Sequence, residues 1–141
     1  MKAFSFGLEK VLNLRKFYED EAKIELGRAI GVLADLENRI AMLVREYARA
    51  AAAQFAPGNS AALMQQYMFY LQRLDYIKEQ LIKEAAIAEL RVEEAREAFL
   101  EASKERKVLD KLKDKRQKEF RKGFFAEETK TLDDIRKLKN R

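Results

Sequence analysis

Cysteine, histidine and tryptophan are missing from this chain of 141 residues, proline occurs once and glycine five times. Without Cys there is no disulfide framework, which suits a reducing compartment. Without Cys and His there is no zinc site of the usual kind, and the carboxylates show no calcium-loop spacing. Neither a thiol nor an imidazole is present as nucleophile or general base. The glycines, Gly7, Gly27, Gly31, Gly58 and Gly123, are too scattered to cradle a phosphate. No run of about 18 apolar residues could cross a bilayer, and the opening "MKAFSFGLEKVLNLRK" lacks the apolar stretch of a signal peptide. Acidic pairs such as Glu93–Glu94 and Glu97–Glu101 read as solvated helix face, with no pocket to shift their pKa values. The expectation is a cytoplasmic protein that is not an enzyme, needs no cofactor, and reaches a membrane only through partners.

What remains is charge and helical periodicity. Charged residues make up 38% of the chain. A 3-4 spacing runs Leu8, Val11, Arg15, Tyr18, Ala22, Leu26, Ala29, Leu33, Leu36, Ile40, Leu43, Tyr47, Ala50, Gln54. It resumes as Leu63, Tyr67, Tyr70, Leu74, Ile77, Leu81, Ala85, Ala88, Val92, Ala95, Phe99, Ala102, Arg106, Leu109. A seam sustained this long, with charges between, signals a coiled coil. Two successive four-residue steps, at Tyr18–Ala22–Leu26 and Ile77–Leu81–Ala85, locally unwind the supercoil. "FAPGNS" at 55–60 is the one strong break, with Asn59 or Ser60 available to cap the next helix.

The predicted fold is all-α: one domain over 1–141, a long antiparallel two-helix coiled-coil hairpin. Its helices span about 4–54 and about 61–122, around a turn at 55–60. Gly123 is expected to end the second helix, leaving 123–141 as a frayed tail or a short extra helix capped by Thr131. At 1.5 Å per residue the helices would be roughly 75 and 90 Å long, a thin rod. With the turn centred near Pro57, a residue near 8 would face one near 106. Val108, Leu109 and Leu112 would then pack near Phe4, Phe6, Leu8 and Val11.

Two surfaces exceed what a two-helix seam requires. From Lys104 to Lys122 there are ten Lys or Arg against four Asp or Glu, a local net charge of +6 in a chain of +5. Such one-signed charge steers an acidic partner. Phosphate is an alternative target, but Phe120, Phe124 and Phe125 offer no stacking platform. Near the turn, Met64, Met68, Phe69, Leu71, Tyr76 and Ile82 lie off the seam, with Met42 and Val44 at a similar level. A second helix cannot cover them all, so an exposed patch suited to a partner is expected.

The segment "FSFGLEKVLNLRK" at 4–16 resembles the opening of the flagellar FliJ proteins, through Phe4, Phe6, Leu8, Val11, Leu12 and Arg15. "ERKVLDKLKDKR" at 105–116 is similar to that family's E-R-K-x-L-E-K-L-K signature, and "LDDI" at 132–135 to its L-D-E-I tail. The resemblance implies a stalk of the flagellar type III export apparatus. Its terminal end would enter the hexameric export ATPase, its hairpin side would meet the membrane export gate, and it would help to handle export chaperones. It would then lie at the cytoplasmic face of the inner membrane, without nucleic acid.

On this chain the ATPase contact would fall on Arg15, Lys16, Arg106, Lys107, Lys111 and Lys113. The family's gate-contacting stripe would fall on Tyr70, Leu74, Ile77 and Leu81, four positions that the periodicity places in the seam. Either the register is displaced there, with Tyr67, Leu71 and Ile82 inward, or the binding residues differ. Rival readings are the stalk of a virulence type III secretion system, a basic coiled-coil nucleic-acid binder, and a self-associating structural rod.

Overall fold

The computed structural model describes residues 3–140. Two α-helices, α1 (Glu9–Gln54) and α2 (Ala61–Lys139), pack against each other as an all-α helical hairpin. The residues group into two compact units, one drawn from Met1–Glu21 and Leu100–Arg141, the other Ala22–Phe99.

Helix α1 starts five residues later than the sequence pattern suggested. The Glu9 amide donates to the Phe6 carbonyl at 3.1 Å, so Gly7 and Leu8 form a turn ahead of the helix. Glu9 places a negative charge on the unsatisfied N–H groups of the first turn. Of the two residues expected to cap the second helix, only Ser60 does so; Asn59 closes the first helix instead. The Asn59 side-chain amide donates to the carbonyls of Ala53 (2.8 Å) and Gln54 (3.1 Å), closing α1. The Ser60 hydroxyl accepts the Leu63 amide at 3.2 Å, opening α2 as its N-cap. Gly58 between them has φ 88°, a left-handed conformation that only glycine adopts without strain.

In the Ala22–Phe99 unit the predicted seam forms. Leu36, Ala85 and Ala88 make its buried centre, with Leu33, Ile40 and Leu81 packed against them. Large side chains on α1 thus lie over alanines on α2. Leu43, Ala50, Leu71, Leu74 and Val92 are also buried.

The other unit has a smaller apolar core. Leu12 is fully buried and Phe6 nearly so, while Phe4 packs on Phe120 at a ring separation of 5.6 Å. Two seam assignments shift by one position. Val11 and Tyr18 are exposed, and Leu12 and Glu19 turn inward instead. Val108 does not join the packing: it is 61% exposed, whereas Leu109 and Leu112 are half-buried.

Facing levels also differ from those expected. A residue near 8 does not face 106: Glu9 pairs with Lys113, and Arg106 reaches Glu19. Near the turn Gln54 bonds the Met64 carbonyl, which centres the fold-back at Asn59 rather than Pro57. The remaining offset lies within the reach of long Lys and Arg side chains along the helix.

Helix α2 does not end at Gly123. It continues to Lys139, so 123–139 is neither a frayed tail nor a separate helix. A glycine inside a helix costs only about 1 kcal/mol, and good helix formers flank this one. Gly123 has no positive φ and no neighbour crowding its Cα. Thr131 is not a cap either: its hydroxyl donates back to the Glu127 carbonyl within the helix, at 2.9 Å.

Candidate functional site

The basic segment sorts into two kinds of side chain. Arg15 is ion-paired with Glu105 at 2.5 Å, Arg106 with Glu19 at 3.0 Å and with Asp110 at 2.6 Å, and Lys113 with Glu9 at 2.9 Å. All but the Asp110 bond join α1 to α2, and these cations are half-buried. Lys16, Lys107 and Lys111 are exposed instead. Of the six residues expected to meet an ATPase, three therefore serve the hairpin and three face outward.

Ser103 and Glu19 deepen that network. Burial alone would raise the Glu19 carboxyl, but hydrogen bonds from Ser103 and Arg106 outweigh it and hold the group below the usual carboxylate value. Ser103 is itself buried. The hydrogen bonds from Arg106 to Asp110 and Glu19 in turn raise the guanidinium's pKa. Arg116 lies over the Phe6 ring at 5.9 Å, a cation–π contact on the exposed side of the small core.

Near the turn, Leu74 is buried and Tyr70, Ile77 and Leu81 are half-buried. These four occupy the seam, as their spacing indicated. The alternative register is not adopted, since Ile82 is exposed, although Leu71 is buried beside Leu74 and Tyr67 is half-buried. The Tyr70 hydroxyl donates to Glu46 at 2.8 Å, and Arg49 clamps the same carboxylate with contacts of 2.5 and 2.8 Å. Those bonds, Arg49 first and Tyr70 second, lower the Glu46 pKa to about 2. The bond to Glu46 raises that of Tyr70.

The expected apolar excess is largely on the surface. Met42, Phe69 and Tyr76 are 68%, 57% and 64% exposed, and Val44, Met68 and Ile82 are exposed as well. Met64 is half-buried.

Farther along, a surface groove of about 790 Å³ is lined by Arg28, Val32, Asp35, Arg39, Ile87 and Arg91 among others. Two of its arginines are paired, Arg28 with Glu25 and Arg39 with Asp35. Among the described residues no group of three or more Asp or Glu side chains is placed to hold a metal. No helix among them is long and apolar enough to cross a membrane.

A helical hairpin with ion-paired terminal segments and an apolar surface near its turn is a scaffold that presents surfaces. The family described as Flagellar FliJ protein matches residues 4–139, and the chain belongs to that family. Membership makes it a component of the flagellar export apparatus. No curated protein and no solved structure matches it.

Proposed function

We propose that this chain is a non-enzymatic stalk and coupling protein of the flagellar type III export apparatus. Its terminal segments dock on the hexameric export ATPase, its hairpin side meets the membrane export gate, and it takes part in handling export chaperones. This would hold it at the cytoplasmic face of the inner membrane through its partners. The observation that carries the reading is the family match over nearly the whole chain. The basic excess confined to Lys104–Lys122 supports it.

Within the ATPase contact, Lys16, Lys107 and Lys111 are the accessible charges, while Arg15, Arg106 and Lys113 set the geometry of the two helices that present them. For the gate, Tyr70, Ile77 and Leu81 contribute their half-exposed edges and Leu74 supports them from the seam. Phe69 and Tyr76, exposed on the same stretch of α2, supply contact area. The test is to mix the purified chain with its cognate export ATPase at low salt. Faster ATP hydrolysis and ring assembly are expected; no change in either would overturn the reading.

A further inference from the structure

Lys104, Lys107, Lys111, Lys115, Lys118 and Lys122 are all exposed. Their spacing of three or four residues is that of one helix face. On an α-helix these positions fall within about 80° of arc and extend over roughly 27 Å. The face is opposite the one that meets α1, because Arg106 and Lys113, which bond to α1, lie across the helix from it. None of the six forms an ion pair among the described residues. Asp114 and Glu119 flank the stripe without interrupting it. Leu100, Val108 and Phe125, at 59%, 61% and 62% exposure, lie along the same side.

We propose that this lysine face of α2 is a docking surface for an anionic lipid bilayer, so that the chain contacts a membrane directly and not only through partners. A narrow stripe presents its charges to a plane all at once. A helix in a duplex groove, by contrast, meets phosphates on both flanks across a gap of about 12 Å, which calls for cations on two sides. An acidic partner helix would need an apolar seam to pack on, and here lysines hold the seam positions. A bilayer uses both kinds of side chain present: lysines attract anionic headgroups, and isolated apolar side chains enter the interface. Attraction of the stripe to anionic lipid does not require an ATPase contact. Lys107 and Lys111 belong to both surfaces, so engagement of the ring and of lipid exclude each other.

The experiment is co-sedimentation of the full chain with vesicles of phosphatidylcholine alone or mixed with phosphatidylglycerol. The variant Lys104→Gln, Lys115→Gln, Lys118→Gln leaves Lys107 and Lys111 in place. A control, Lys10→Gln, Lys23→Gln, Lys83→Gln, removes the same net charge from exposed positions off the stripe. Gln keeps helix propensity close to that of Lys. The wild type is expected to bind only the mixed vesicles and to be released by salt, since screening shortens the attraction. Each surface lysine changes partition about fivefold, so the stripe variant should lose roughly a hundredfold and the control far less. Equal losses in both variants would overturn the proposal, as would no binding of the wild type at low salt. So would preferential binding to a duplex oligonucleotide when duplex and vesicles compete.

Discussion

The Arg106 guanidinium binds two carboxylates at once, Glu19 on α1 at 3.0 Å and Asp110 one turn along α2 at 2.6 Å. Its planar fork fixes the angle between them, which the point charge of an ammonium cannot do. Arg106→Lys is therefore expected to speed amide exchange at the start of α1 and around residue 106 while leaving total helicity nearly unchanged. Lys107→Glu, one residue away but exposed, should leave exchange alone. Equal exchange in the two variants would remove Arg106 from this role.

Charge reversal should separate the two classes of cation in the basic segment. Lys16→Glu, Lys107→Glu and Lys111→Glu together should weaken binding to the export ATPase without shifting the melting temperature by more than a few degrees. Reversing Arg15 and Lys113 places like charges against Glu105 and Glu9 and should lower the melting temperature. Calorimetry and an ATPase pull-down on the same samples distinguish the outcomes.

Leu12 and Val11 are adjacent in sequence, but only Leu12 is fully buried. Leu12→Ala should cost about 2–3 kcal/mol, whereas Val11→Ala should cost well under half of that. Urea unfolding of both variants checks the difference. The same contrast applies near the turn. Leu74→Ala should destabilise by about 2 kcal/mol, while Tyr76→Ala should leave stability almost unchanged and weaken gate binding.

Glu46 gives the fold an acid-sensitive contact. Its folded pKa lies below the ordinary value of 4.5, at about 2. A depressed carboxyl stabilises the native state above the unfolded pKa, and that contribution fades as the pH falls toward the folded one. The stability gap between wild type and Glu46→Gln should thus be full at neutral pH, shrink below about 4.5 and close near 2. A gap independent of pH would mean that Arg49 and Tyr70 do not hold the charged form. The side chain is partly exposed, so the effect will be modest and reduced by salt.

The seam from Leu26 to Ala50 and from Tyr67 to Leu109 was legible because each step changes apolar content at a fixed spacing, and the structure uses nearly every one of those positions. Apolar spacing gives no sign of the places where polar side chains do the packing. Glu19 and Ser103 are inward because they satisfy each other and Arg106, and no hydropathy pattern reveals that. Val11 lost its place to Leu12 close to the point where α1 begins and the 3-4 rhythm has no preceding turn to fix its phase. Gly123 read as a stop because glycine is a common C-cap, but a cap needs a left-handed residue, which this one is not. The separation of the basic residues into bonded and free sets also lay outside the sequence, since it depends on which carboxylate the fold-back brings opposite each one.

Beyond Phe120, every described residue of α2 except Phe124 is exposed, although the helix runs on to Lys139. A free peptide of this length would be marginally helical in water, because starting a helix is costly while extending one is not. The paired part of α2 acts as the nucleus, and the final turns are propagation from it. Melting should advance inward from Lys139, and a peptide cut out at Gly123 should be mostly coil. Restoring a helix former there, as in Gly123→Ala, should strengthen the link by up to about 1 kcal/mol. A partner that grips the last turns would then pull on an equilibrium already close to balance, and their order would report its arrival.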